Sequence, residues 1–169
     1  MGPVFQIVEA KAWHCGQMLR LLRAEHRDAV VAVGVNAHRE LRDRFDESFF
    51  RRAWLVDGQL LGLGGVTGSP LASDGMVWLA LAGAAARYPV AMLREARRQI
   101  DGLMATKRSL TTVILPEDAA SFRFARHLGF VVRPDIPTIF EAVAMEYRKP
   151  IRERRFPLRP VEEETYDAA

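Results

Sequence analysis

The sequence predicts a single α/β domain, and three stretches predict it. Ser109–Pro116 is a short β-branched and apolar run, the pattern of a buried strand. Glu117 and Asp118 follow, where the positive end of a helix favours acids. Ala120, Phe124 and Leu128 then recur on one helical face, and the run closes on Gly129, suited to the left-handed position after a helix. Phe130-Val131-Val132 restarts at once as a strand. In the second stretch, Ala53–Val56 and Leu60–Val66 flank Asp57-Gly58, the strongest short hairpin signal a sequence offers. In the third, Met76–Ala82 is apolar throughout, as a central strand covered on both faces is, and Tyr88-Pro89 opens a helix with proline in its first turn.

The remaining elements follow from the same rules. Val4–Val8 alternates as a strand. Ala12 to Arg27 has helical periodicity, with Met18, Leu19 and Leu22 as its apolar stripe, and Asn36 is a good N-cap for a second helix through Phe50. Gly64-Gly65 weakens strand packing and predicts a bulge or a close backbone approach. Leu93, Ala96, Ile100 and Leu103 form the core stripe of the helix after Pro89. A last strand spans Phe140–Tyr147, with Val143, Met145 and Tyr147 alternating against Ala142, Ala144 and Glu146. Met76–Ala82 and Leu110–Leu115, joined through a helix, are expected as parallel neighbours.

Composition narrows the function classes. A chain of 169 residues, 49% hydrophobic and 27% charged, buries a core without metals or disulfides, and its single cysteine, Cys15, excludes an internal disulfide. No apolar run approaches the roughly 20 residues of a membrane span. Met1–Gln6 lacks a basic signal-peptide start, and Gln6 stands where a myristoylation signal wants Ser or Thr, so the protein is expected to stay in the cell that makes it. The net charge of +3 is mild, and Arg39, Arg42 and Arg44 alternate with Glu40, Asp43, Asp46 and Glu47 as on a solvated helix face. Nucleic acid is therefore not the expected partner. His14, His26 and His38 are too far apart for metal-ligand spacing, and no metal site is expected. Cys15 and the adjacent His14 diverge on a helix and form no nucleophile–base pair.

The strand–helix–strand ending in Leu128-Gly129-Phe130, within the order β-α-α-β-β-β-α-β-α-β-β, resembles the GCN5-related N-acetyltransferase (GNAT) fold over residues 4–148. The resemblance implies a mixed, mostly antiparallel sheet flanked by helices, splayed between Met76–Ala82 and Leu110–Leu115 near Ala82. Trp78-Leu79, Tyr88-Pro89-Val90-Ala91 and the basic residue before Leu128-Gly129-Phe130 look like the acetyltransferase-like proteins of tailed bacteriophages. Met18–Asp28 is similar to that group's opening. Some members are named internal virion or head-assembly proteins. This resemblance implies a virion or assembly protein acting through protein contacts, located in the bacterial host cytoplasm and the phage particle, with other virion proteins or further copies of itself as partners. The alternative it leaves open is an acetyl-CoA-dependent N-acetyltransferase acting on a host or phage amine.

The GNAT resemblance also shows which chemistry is missing. Relatives bind the acetyl-CoA pyrophosphate on backbone N–H groups of a Gly-rich turn after the central strand. Here that place holds Ala82, Gly83, Ala84, Ala85, Ala86 and Arg87, with one glycine, and Pro89 removes a donor. Counting back from Gly129, Asp118 stands at the Asn position of the last helix and Ser121 at the Ala position. Ala125 stands where relatives carry the Tyr that protonates the leaving thiolate, and a methyl group donates no proton. Glu25 stands where some relatives bind or deprotonate the acceptor amine, and it also reads as one of the solvated charges Glu25, Arg27 and Asp28. Acetyl-CoA is thus expected only if the chain is an enzyme, and no cofactor is required otherwise.

Beyond Arg148 the character changes to a proline-punctuated basic stretch followed by Glu162–Glu164. Residues 1–148 are the expected domain and 149–169 an extended tail. By composition the tail is a solvated segment, or else a strap docked on a partner through Arg152, Arg154, Arg155 and Arg159, with Phe156 and Leu158 as apolar anchors.

Overall fold

Two layers of helices enclose one twisted sheet of seven strands in the computed structural model, which describes residues 2–149. The strands are β1 (Phe5–Glu9), β2 (Ser48–Val56), β3 (Gln59–Thr67), β4 (Asp74–Leu81), β5 (Ser109–Ile114), β6 (Val131–Val132) and β7 (Val143–Arg148). The helices are α1 (Ala12–Leu21), α2 (Ala24–Ala32), α3 (Ala37–Glu47), α4 (Pro89–Leu103) and α5 (Ala119–Leu128). Spatial order is β1-β2-β3-β4-β5-β7-β6, and every neighbouring pair is antiparallel except β4 and β5. The expected α/β class, with a mostly antiparallel mixed sheet, is what the chain forms.

Alternation along the central strands sorts their side chains between two cores. Ala53, Leu60, Leu63, Trp78 and Ala80 face α1 and α3, where Cys15, Met18, Leu41 and Phe45 pack. Trp54, Leu61, Leu110, Ile114 and Met145 face α4 and α5, where Met92, Ala96, Ile100, Ala125 and Leu128 pack. Both faces of β3 are covered, so seven of its nine residues are buried.

Several local predictions match their cause. Asp57 (φ 48°) and Gly58 (φ 77°) both take positive φ, as a tight hairpin turn of the right twist requires. The Asn36 side chain accepts from the Arg39 N–H at 3.0 Å, and Gly129 ends α5 at φ 100°. Gly64 and Gly65 mark a close approach: a Cβ at Gly65 would stand 2.6 Å from the Phe50 carbonyl oxygen. The pair keeps regular register there, with Arg52 and Arg51 opposite, and the irregularities of β2 lie to either side, between Ser48 and Phe50 and between Trp54 and Leu55.

Other expectations need correction. The helix expected over Ala12–Arg27 is broken at Leu22 and Arg23, whose backbones are extended (ψ 131° and 149°). Leu22 instead bridges Ala82, and the Arg23 N–H donates to the Leu81 carbonyl at 3.1 Å. A backbone hydrogen bond to a sheet edge thus replaces the next helical turn. Helix α3 stops at Glu47, because Phe49 and Phe50 are taken into β2. The last strand starts at Val143, since Phe140 and Glu141 both sit at φ 56° in a turn that no strand accommodates. It does not alternate cleanly either: Ala144, Met145 and Glu146 are all buried.

Two buried polar side chains are satisfied by backbone groups outside the sheet. Lys107, 3% exposed, donates its ammonium to the carbonyls of Ser69, Pro70 and Ala72 at 2.8, 3.2 and 2.6 Å, so all three of its donors are met. The His14 Nδ1 accepts from the Lys11 N–H at 2.8 Å and caps α1. Burial pushes the His14 pKa down, in keeping with an unprotonated Nδ1.

Candidate functional site

Strands β4 and β5 are joined only at Asp74–Ser109, Gly75–Leu110 and Met76–Thr111. From Val77 onward they diverge, so the splay begins well before Ala82, where the sequence placed it. The divergence opens a cleft of about 310 Å³ through the sheet. Its wall is mostly apolar, with small residues such as Gly64, Ala80, Ala96 and Ala125 beside Trp78 and Ile114. A packed core leaves few voids of this size, and here the small side chains keep the space free.

The polar wall is built around Asp118. This residue is the N-cap of α5, its carboxylate accepting from the Ser121 N–H at 3.0 Å. The Arg23 Nη2 donates to both carboxylate oxygens, at 2.7 and 2.9 Å, and also to the Ser121 hydroxyl. The His26 Nδ1 lies 3.2 Å from the second oxygen. Asp118 is only 3% exposed. Burial alone would raise its pKa, but the hydrogen bonds from His26 and Ser121 and the Arg23 charge outweigh that and hold it well below the usual carboxylate range. An ionised carboxylate engaged on every side is a structural anchor rather than a free base. His26, Asp118 and Ser121 all line the cleft.

The other residues singled out by sequence lie elsewhere. Residues Gly83–Arg87 form a 3₁₀ turn between β4 and α4. In that turn the Ala85 N–H donates to the Ala82 carbonyl and the Tyr88 N–H to the Ala85 carbonyl, both at 3.0 Å. Winding i→i+3 thus engages the Ala85 and Tyr88 amides, and Pro89, first in α4, has none. Ala82 and Ala85 are buried, Ala84 is half-buried, and Gly83, Ala86 and Arg87 are exposed. None of the six lines the cleft. The turn as wound therefore offers a pyrophosphate fewer free amides than an open glycine-rich loop does. Glu25 is exposed in the first turn of α2 and stands outside the cleft lining; Ala125, by contrast, is 6% exposed and lines the cleft from α5.

The sequence singled out Asp118, which the structure places in the cleft wall, but it gave no sign that Arg23 and His26 would meet it. Their partner lies more than 90 residues away, and no spacing rule reaches that far. Burial pushes up the pKa of the Cys15 thiol. Among the described residues, no three His, Cys, Asp or Glu side chains gather as a metal site, and no helix is long and apolar enough to cross a membrane. The tail residues Arg152, Arg154, Arg155, Phe156, Leu158 and Arg159 lie outside the described residues.

No protein-family model matches the sequence, and no curated protein matches it. Solved structures do. The GNAT domain of S. lividans PAT superposes with a TM-score of 0.65 at 10% identity, over 86% of this chain and 89% of that one. An aminoglycoside acetyltransferase in complex with coenzyme A gives 0.62 at 12% identity, over 86% and 95%. A GNAT-family acetyltransferase from Streptococcus agalactiae gives 0.62 at 15%, again over 86% and 95%. Identities this low carry the fold and not the activity. Together with the single parallel pair that splays at the centre of an otherwise antiparallel sheet, they show that this chain has the GNAT fold.

Proposed function

We propose that this chain uses the GNAT scaffold for protein–protein contacts, as a virion or head-assembly component of a tailed bacteriophage, and not for acetyl transfer. The observation that carries the reading is the turn after β4, whose 3₁₀ winding engages the Ala85 and Tyr88 amides and which runs into Pro89, a residue with no amide to offer. Ala125 at the position of the proton-donating tyrosine, and Asp118 bound to Arg23, agree with it. The phage assignment rests on the sequence resemblance alone. In this reading the domain is residues 1–148, and the tail is the docking element. Arg152, Arg154, Arg155 and Arg159 pair with acidic groups of a partner, and Phe156 and Leu158 anchor the contact.

The test is co-sedimentation with purified particles. Full-length protein is expected in the particle fraction. Deletion of residues 149–169 is expected to leave a folded domain in the supernatant. Full-length protein absent from particles, or a deletion variant that still sediments with them, contradicts the proposal.

A second reading, an acetyl-CoA-dependent N-acyltransferase acting on a host or phage amine, is favoured by one observation, the open apolar cleft between β4 and β5. Release of free coenzyme A thiol, dependent on both protein and an added amine, would establish it.

A further inference from the structure

The two strands that diverge at the cleft are tied together again at their far ends, by residues from neither strand. On the β4 side, Leu22 bridges Ala82, and the Arg23 N–H donates to the Leu81 carbonyl at 3.1 Å. On the β5 side, Asp118 and Ser121 open the helix that follows the strand. The Arg23 side chain spans from one side to the other, with its Nη2 on both Asp118 oxygens and the Ser121 hydroxyl, and His26 adds a second contact from α2. Three residue pairs of β4 and β5 close the narrow end of the splay, and this ion pair closes the wide end.

We propose that the Arg23–Asp118 pair is a strap that fixes the width of the splay at its wide end, with Asp118 and Ser121 in the cleft wall and Arg23 holding them from outside the lining. The pair is suited to this. Arg23 and Asp118 side chains are 14% and 4% exposed, so the contact is shielded from the water and salt that weaken surface pairs. A single guanidinium nitrogen, Nη2, meets both Asp118 oxygens and the Ser121 hydroxyl, a point contact that an ammonium at the same place can also make. The break in the first helix acquires a reason, because a continuous helix would carry Arg23 past Leu81 rather than anchor it there. The strap acts on the splay whether the protein serves as a scaffold or as an enzyme.

The distance between the strand ends reports on the strap directly. Spin labels at Gly83→Cys and Glu117→Cys flank the open end. Both positions are exposed, and a Cβ at Gly83 meets nothing within 4 Å. Cys15 is 2% exposed and stays unlabelled. Pulsed dipolar measurements on the labelled full-length chain are expected to give one narrow distance distribution. Arg23→Met in that background is expected to shift it outward and broaden it, and Arg23→Lys to restore most of the narrow component. Asp118→Asn, which keeps an oxygen for the helix cap, provides the same test where Arg23→Met does not fold. A distribution unchanged by Arg23→Met, or by Asp118→Asn in its place, overturns the strap, as does a parent distribution already broad.

Discussion

Replacing Asp118 with alanine will destabilise the protein by about 4 kcal/mol, measured as the loss of unfolding free energy in urea. Breaking a buried ion pair from one side costs roughly 3–5 kcal/mol, because the remaining charge keeps its burial and loses its partner. Here the remaining charge is the Arg23 guanidinium, whose Nε has no partner among the described residues. Loss of the N-cap adds about 1 kcal/mol, which overlaps with the first effect because both run through the same side chain. Asp118→Asn keeps an acceptor for the Ser121 N–H and is expected to cost about half as much. The acid dependence has a definite sign. The folded-state pKa of Asp118 is depressed, so its contribution is fully present above the unfolded value of about 3.9 and is lost as the pH falls from there through the folded value. The gap between parent and Asp118→Ala therefore closes as the pH drops below about 4. A gap that widened on acidification would contradict the ionised, engaged carboxylate.

Gly65→Ala will cost about 3 kcal/mol in the same assay. The added methyl would meet the Phe50 carbonyl oxygen at 2.6 Å, the Ser48 hydroxyl at 2.9 Å and the Trp78 Nε1 at 3.0 Å. The first of these is backbone in the paired strand β2 and has nowhere to move. The other two are hydrogen-bonded to each other at 2.8 Å in a buried position, and the Ser48 hydroxyl donates onward to the Arg44 carbonyl. Relief of the overlap therefore separates strands or breaks a buried hydrogen bond, and either is worth roughly 1–3 kcal/mol. The same substitution at Gly16, inside α1 with nothing within 4 Å of its Cβ, should instead stabilise by about 0.5–1 kcal/mol. The contrast in sign separates steric conflict from a general effect of alanine.

The sequence and the structure agree where one short segment decides its own conformation. Asp57-Gly58, Asn36, Pro89 and Gly129 each do so, because the turn, cap or left-handed position they favour needs no distant partner. Agreement fails where two distant segments settle the matter. Nothing between Ala12 and Arg27 signals a helix break: there is no proline, and Leu22 continues the apolar stripe. The break belongs to Ala82, which pairs with Leu22 across the sheet. The alanine-rich turn Gly83–Arg87 is equally compatible with an open loop and with the 3₁₀ winding it takes. Asp118 stood out by its place in the motif, but its sequestration depends on Arg23 and His26. At the candidate site, then, the position was legible and its occupation was not.

Titration calorimetry of the full-length protein with acetyl-CoA tests the central proposal, that the turn after β4 does not serve as a pyrophosphate cradle. The account predicts a dissociation constant no tighter than roughly 100 μM, about 5.5 kcal/mol of binding free energy. Tight, stoichiometric binding that Gly83→Pro abolishes would show that the turn unwinds to receive phosphate, and would contradict it.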